Sequence, residues 1–119
     1  MANSSTGLQL PSRQKYIINH LLSKFMGNPN VNSVYLFGSC AKGMATSDSD
    51  IDIFVVTNDK VYDDSQEVFD ILYGSMDDIP LEHYVSCDIL TATKEDFDFE
   101  TTPLIKSVKR EGIELYGIL

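Results

Sequence analysis

The fold is decided by one stretch, Gly38-Ser39-Cys40-Ala41-Lys42-Gly43-Met44-Ala45-Thr46-Ser47-Asp48-Ser49-Asp50-Ile51-Asp52-Ile53-Phe54. An apolar, β-rich run over Val31–Phe37 precedes it, and a second such run, Asp50–Val56, begins inside it. Successive side chains on a strand point to opposite faces, so Asp50 and Asp52 would share one face while the isoleucines between them enter the core. The stretch therefore predicts a Gly- and Ser-rich turn between two strands, the second of which presents a pair of acids.

The paired acids suggest a cation. Two neighbouring carboxylates repel each other unless a positive charge lies between them, and hard oxygen ligands suit Mg²⁺ or Mn²⁺. The alternative is a strand with one solvated, acidic face, which is common in so acidic a chain. Spacing alone leaves both interpretations open.

The turn before the acids suggests a phosphate. Gly38 permits a close backbone approach where a buried strand ends, and free N–H groups with the Ser39 hydroxyl can hold an anion, to which Lys42 adds a positive charge. Alternatively, Gly38 only forms a turn and Ser39 only caps a short helix. Ten residues separate Ser39 from Asp50. Together, the turn and the acids predict a phosphate-binding loop beside a divalent-metal site. Transfer of a nucleotidyl group from a triphosphate requires both.

The rest of the chain predicts the other elements of one small domain. Residues 1–10 are polar and small, and we expect a flexible arm there, with the domain over 11–119. Helical spacing predicts helices from Ser12 to about Gly27, around Val68–Met76, and from Pro103 to Gly112, with strands over Tyr84–Thr91 and near Ile113. The order favours an α/β or α+β domain with a small sheet covered by helices.

Composition excludes several classes of protein. Nine Lys and Arg against 18 Asp and Glu give a net charge of −9, so stable nucleic-acid binding is not expected. No apolar run approaches the roughly 20 residues of a membrane helix, and residues 1–10 do not read as a signal peptide, which favours a cytoplasmic protein. Cys40 and Cys87 form neither a disulfide framework nor a zinc motif, and we expect them to be reduced and buried.

Gly38-Ser39, ten residues, then Asp50-x-Asp52 resembles the signature of the nucleotidyltransferase superfamily related to DNA polymerase β, and the surrounding residues look like its minimal bacterial branch. The resemblance runs from about Val31 to Tyr116. Within it, Cys87–Thr91 looks like the strand of the third acid, and Ile113–Tyr116 like the closing segment. It implies a single polymerase β-like domain with a small mixed sheet flanked by helices.

The resemblance also implies roles for particular residues. Asp50 and Asp52 would bind two Mg²⁺ ions, and Asp88 would be the third carboxylate, which contributes to the metal site and activates the acceptor hydroxyl. From the residues alone, Asp88 is an acid in an otherwise apolar strand, where an unpaired charge is costly; a strand-end cap is the alternative. The nucleotide-binding residues would be Gly38, Ser39, Lys42 and Ser49.

The implied function is transfer of AMP from ATP to a hydroxyl acceptor on a helical HEPN-type toxin partner, with this chain as the antitoxin. The chain ends at Leu119, three residues past Tyr116, so we expect another molecule to hold the acceptor. Two alternatives are a non-catalytic antitoxin and a small-molecule nucleotidyltransferase acting as a homodimer. One basic cluster, Lys106, Lys109 and Arg110, either complements a helix C-terminus or binds triphosphate.

Overall fold

The computed structural model describes residues 3–4, 9–58, 70, 74 and 79–115. The helices are α1 (Ser12–Phe25), α2 (Gly38–Ala41), α3 (Lys94–Phe99) and α4 (Pro103–Glu111), with a 3₁₀ turn at Leu81–His83. The strands are β1 (Asn3–Ser4), β2 (Val31–Phe37), β3 (Ile51–Thr57), β4 (Cys87–Thr93) and β5 (Ile113–Glu114).

The strands form one mixed sheet in the order β1-β5-β2-β3-β4. Strand β2 is antiparallel to both of its neighbours, β5 and β3, whereas β1 with β5 and β3 with β4 are parallel pairs. The prediction of a small mixed sheet flanked by helices is confirmed. Within the expected N-terminal arm, Asn3 and Ser4 pair with Ile113 and Glu114.

Each face of the sheet packs against different helices, because alternate strand residues point to opposite sides. Ile51, Ile53 and Val55 face α1, whose buried stripe includes Ile17 and Leu21. Phe54 and Val56 face the other way, where they pack against apolar residues of α3 and α4. The second face is therefore covered at one end by the C-terminal helices, and it is the face that Asp52 shares with Phe54.

The limits of β4 differ from the sequence prediction. We expected a strand over Tyr84–Thr91, but β4 spans Cys87–Thr93, because its parallel pairing with β3 runs from Ile51 to Thr57. The expected helical cap at Thr93 is confirmed, since its hydroxyl accepts a hydrogen bond from the Asp96 amide at 3.1 Å.

Part of the predicted secondary structure lies outside the described residues. Of the helix expected around Val68–Met76, only Asp70 and Gly74 are described, and both are helical. Tyr116, expected in the closing segment, lies outside the described residues. Among the described residues, no helix has the length and apolar character that crossing a membrane requires.

Candidate active site

Three aspartates lie near the start of β3 and β4. Asp52 on β3 stands in register opposite Asp88 on the parallel strand β4, so their side chains project to the same side. Asp50 lies two residues before Asp52, at the entrance to β3. The structure thus brings two of the acids named from the sequence, Asp88 and Asp50, within electrostatic reach of the third, Asp52.

The electrostatic strain of these acids falls on Asp52. Burial raises the pKa of the Asp52 carboxyl, and the neighbouring charges of Asp88 and then Asp50 raise it further. Each cause disfavours the ionised form. A cation among the three groups would reverse the last two effects, so the cluster has an electrostatic reason to bind one.

Gly38 lies directly against this cluster. Its φ is +72°, in the left-handed region, and an added Cβ would overlap Oδ2 of Asp52. Gly38 also follows Phe37, which stands in register with Asp52 across β2 and β3. Only glycine allows the turn to pass this close to the carboxylate. The sequence-predicted turn and the sequence-predicted acid are therefore in contact.

Lys42, predicted to bind phosphate, lies at the C-terminal end of α2. Its Nζ is 3.7 Å from Oε2 of Glu111 at the end of α4, and both side chains are about half exposed. The ion pair links the turn after β2 to the last turn of α4. Because exposed pairs of this kind are weak, Lys42 can leave Glu111 for a stronger anion at small cost.

Ser49, also predicted to bind nucleotide, has its hydroxyl in a local turn. Its Oγ accepts a hydrogen bond from the Thr46 amide at 2.8 Å and lies 3.3 Å from the Thr46 hydroxyl, while its own amide donates to the Thr46 carbonyl at 3.0 Å. These bonds close the loop just before Asp50. The structure gives Ser49 a part in shaping the loop, and its contact with nucleotide stays a prediction.

Gln14 supports the same loop and was missed by the sequence analysis. It is fully buried on α1, and its Nε2 donates to the carbonyls of Thr46 at 2.9 Å and Ser49 at 3.0 Å. Its Oε1 is buried and has no hydrogen-bond partner among the described residues. The sequence does contain a signal for this contact: a glutamine in the apolar stripe of α1, three residues before Ile17. A polar group buried there needs a hydrogen-bond partner.

The two cysteines border the acids and are poor nucleophiles. Cys40 is buried, and its thiol donates to the Asp50 carbonyl at 3.6 Å. Burial raises the pKa of Cys40, with a contribution from Asp52, and burial with nearby acids raises the pKa of Cys87 to about 12. Both are free thiols, as expected, but only Cys40 is buried as predicted; Cys87 is partly exposed because it begins β4, the edge strand of the described sheet. Both thiols are protonated at neutral pH, which argues against covalent catalysis.

The basic cluster on α4 lines an open cleft of about 440 Å³ together with Glu100. Lys109 is already engaged there: its Nζ lies 4.9 Å from the Phe97 ring centroid and donates to the Asp98 carbonyl at 3.4 Å. Lys109 and Arg110 lie in the last turn of α4. This placement agrees with the interpretation that the cations complement a helix C-terminus.

A divalent metal was expected at the acids. Three carboxylates supply the hard oxygen ligands that Mg²⁺ prefers, and their mutual repulsion at Asp52 fits a cation. Over the described ranges, however, no three His, Cys, Asp or Glu side chains are grouped closely enough to hold an ion as they stand. The donor chemistry fits a metal, whereas the side chains are not arranged around one.

Known proteins resemble this chain in family and fold. The family model described as "Polymerase beta, Nucleotidyltransferase" matches residues 19–117. A crystal structure of a toxin-antitoxin with AMP-PNP is similar over 87% of this chain and 73% of its own, at 26% identity and a TM-score of 0.53. A mutant of the toxin-antitoxin MntA-HpeT is similar over 87% and 72%, at 23% identity and a TM-score of 0.51. No curated protein gives a significant match.

Proposed function

We propose a specific reaction for this chain, which belongs to the polymerase β nucleotidyltransferase family: transfer of AMP from ATP to a hydroxyl group of a partner toxin. The observation that carries the proposal is the placement of Asp52 against Gly38 on one side and beside Asp88 on the other. Phosphate-binding turn, metal-binding acids and acceptor-activating acid would then share one end of one sheet face.

The metal proposed here is Mg²⁺, held by Asp50 and Asp52 with a contribution from Asp88. When bound, Mg²⁺ ions align the reacting oxygen with phosphorus and stabilise the departing pyrophosphate. The protein residues supply the rest. Gly38 keeps the turn close to the acids. The Ser39 hydroxyl donates a hydrogen bond to a phosphate oxygen, and Lys42 leaves Glu111 to pair with the triphosphate.

The transfer step itself needs a base for the acceptor. The acceptor hydroxyl forms a new O–P bond to the α-phosphorus, the bond from that phosphorus to the bridging oxygen breaks, and pyrophosphate leaves. Asp88 takes the hydroxyl proton. It suits this role because it lies across from Asp52 on the edge strand of the described sheet, where an acceptor can approach.

A protein acceptor is supported by two observations. The similar structure at 26% identity is a toxin-antitoxin with AMP-PNP, so a nucleotide and a toxin are the natural partners to test, with a HEPN-type toxin as our candidate. The net charge of −9 opposes a polynucleotide acceptor. This chain would then be the antitoxin.

A non-catalytic antitoxin is the second candidate. It is favoured by the absence of a preassembled metal cluster among the described side chains. Such a protein would neutralise its partner by contact alone and would bind it equally well without metal or nucleotide.

The test is transfer to the product of the neighbouring gene, followed by intact mass spectrometry. Incubation with ATP and Mg²⁺ should add one or more AMP masses, and Asp50→Asn and Asp52→Asn should each abolish the gain. Asp48→Asn is the matched control, because Asp48 belongs to the same loop but is highly exposed and pairs with Arg13. Tight binding of the partner with no mass gain would replace the proposal with the non-catalytic antitoxin.

Calorimetry tests the metal separately. ATP should bind the wild type and Asp48→Asn only when Mg²⁺ is present, and Asp50→Asn with Asp52→Asn should lose that binding. Unchanged, metal-independent binding would overturn the metal assignment.

A further inference from the structure

We infer that three cations of α4, Lys106, Lys109 and Arg110, dock an acidic segment of the partner protein. They line an open cleft of about 440 Å³ together with Glu100, and we call this surface the basic cleft. The inference rests on the proposed function for the identity of the partner, the toxin, and adds the surface that holds it.

The helix C-terminus accounts for only two of the three cations. Lys109 and Arg110 lie in the last turn of α4, where positive charge complements the helix dipole. Lys106 is the fourth of nine residues and lies outside that turn. It also precedes the other two by three and four residues, a spacing at which like charges repel. A bound anion would remove this repulsion.

Two of the cations are available to an incoming anion. Lys109 is held over the ring of Phe97, 4.9 Å from its centroid. Arg110 has a weak, exposed pair, with its Nε 3.8 Å from Oε1 of Glu111, which it can leave at small cost. Among the residues that the structure describes, no carboxylate lies within ion-pair distance of Lys106. Lys106 and Arg110 are therefore open to a ligand, one helical turn apart.

The basic cleft lies on the side of α4 away from Lys42. Successive helix residues are rotated by about 100°, so the buried stripe of Ile105 and Val108 has the three cations on one flank and Glu111 on the other. Glu111 is the residue that meets Lys42. The triphosphate that we assign to Lys42 would therefore lie across α4 from the basic cleft.

The charges around the basic cleft favour a protein over a nucleic acid. Residues 94–111 carry four cations and five carboxylates, so they do not form the extended positive surface that attracts a phosphate backbone. Glu100 lies in the cleft itself and would repel each further phosphate. A protein segment can place carboxylates on the cations and a hydrogen-bond donor on Glu100. Two carboxylates one helical turn apart would match Lys106 and Arg110.

Carbodiimide cross-linking of the full-length chain with the product of the neighbouring gene tests the contact directly. The reagent joins a lysine amine to a touching carboxylate as an amide. Peptide mass spectrometry should find Lys106 linked to an Asp or Glu of the partner. Lys15 and Lys24, which are exposed on α1, should give no such link. Lys106→Arg should keep partner binding and lose the link, because its guanidinium forms no amide.

Charge reversal measures what the contact contributes. Lys106→Glu should raise the Kd for the partner by about tenfold or more and weaken its dependence on salt, because charge pairs across an interface are screened by ions. Lys15→Glu is the matched control, since Lys15 is also exposed and also the fourth residue of its helix. Both variants should keep the wild-type melting temperature and the calorimetric affinity for ATP with Mg²⁺.

The outcomes separate this inference from the proposed function. If the wild type transfers AMP but Lys106→Glu binds the partner as Lys15→Glu does, the docking site alone is overturned. If Lys106 is linked to the partner but the wild type transfers no AMP, the docking site stands and the proposed reaction fails. A wild type that does not bind the product of the neighbouring gene would overturn both.

Two other results would assign the basic cleft to a different ligand. A loss of ATP affinity in Lys106→Glu that Lys15→Glu does not share would make it a triphosphate site. A link from Lys106 to a second copy of this chain, in place of the partner, would make it a self-association surface. Either result overturns the inference.

Discussion

The two sides of the site are held in different ways. On the turn side, the loop from Thr46 to Ser49 is tied to α1 by the buried amide of Gln14, and the backbone of Gly38 lies against Asp52. On the other side, Asp88 belongs to a strand that lies at the edge of the described sheet and is positioned by its parallel pairing with β3. One side is enclosed and the other is open.

The two sides are suited to different ligands. A loop has no ladder of backbone bonds, so it needs side-chain bonds and close packing to hold a ligand group in place. An edge strand already has a fixed register and can leave one flank free. We therefore expect the turn side to hold ATP and metal in a fixed geometry and the Asp88 side to admit and release the acceptor.

The largest effect that sharpens this comparison is expected from Asp88→Asn. AMP transfer should fall by about 10²-fold or more, the usual scale for a lost general base, while ATP binding stays near the wild-type value. Single-turnover transfer and calorimetry measure the two quantities. Loss of ATP binding would make Asp88 a principal ligand of the nucleotide-bound metal rather than the base, and undiminished transfer would remove it from the reaction.

Gly38→Ala tests the turn side with a matched control. Gly38 and Gly43 both have positive φ, +72° and +70°, but only at Gly38 would a Cβ meet the Asp52 carboxylate. Both alanine variants should lose about 1–2 kcal/mol of stability from the left-handed backbone. Only Gly38→Ala should also lose ATP binding and up to about 10²-fold in transfer, because the acid is displaced.

Equal loss of activity in the two glycine variants would contradict that expectation. It would mean that backbone strain alone, rather than the contact with Asp52, accounts for the effect. Thermal unfolding in parallel with the transfer assay separates the two causes.

The sequence predicted the acids and the turn well because they are local. Strand periodicity alone predicts that Asp50 and Asp52 share a face. The resemblance predicted the role of Asp88 and the family, and the family model confirms the family. Strand β3 was expected one residue early, over Asp50–Val56 rather than Ile51–Thr57, since pairing with β2 and β4 sets the limits. The functional roles of these residues remain predictions.

The contacts that the sequence did not reveal join distant parts of the chain. Gln14 meets Thr46 and Ser49 from another element, and Lys42 meets Glu111 from the far end of the chain. The spacing of apolar residues along the sequence does not predict such pairs, because each depends on how α1 and α4 pack against the sheet. A polar residue in an apolar stripe signals that a partner exists but not which one.

Gln14→Met should have a moderate effect on the turn side. Methionine keeps the length of the side chain but removes two part-buried hydrogen bonds, each contributing about 1 kcal/mol. We expect faster amide exchange at Thr46–Ser49, a higher Mg²⁺ requirement and a loss of transfer of about tenfold from the misplacement of Asp50.

Arg13→Met is the control for Gln14→Met. Arg13 reaches the same loop through Ser47 and Asp48, but at 3.3 Å and exposed to solvent, where such contacts contribute little. If the two variants behave alike, burial of the Gln14 amide is not what holds the loop.

The smallest expected effect is that of Asp52→Asn on stability. This substitution should abolish activity but stabilise the folded protein. Because burial, Asp88 and Asp50 raise the pKa of Asp52 above its ordinary 3.8, the folded protein keeps this proton at a pH where the unfolded chain has lost it. The stability that Asp52 contributes is full below pH 3.8 and is lost as the pH rises through the folded pKa. Asp52→Asn cannot ionise and escapes that loss.

Without metal, the inactive Asp52→Asn should therefore melt higher than the wild type at pH 7, and the gap should close as the pH falls towards 3.8. Melting curves in EDTA across this range measure the gap, with Asp48→Asn as the control for removing a charge from the same loop. Mg²⁺ should raise the melting temperature of the wild type and leave Asp52→Asn unchanged, because a cation relieves the same repulsion. If the pH curves of wild type and Asp52→Asn are parallel, repulsion among the acids does not destabilise the folded protein. The difference between the turn side and the open Asp88 side would then be one of packing alone.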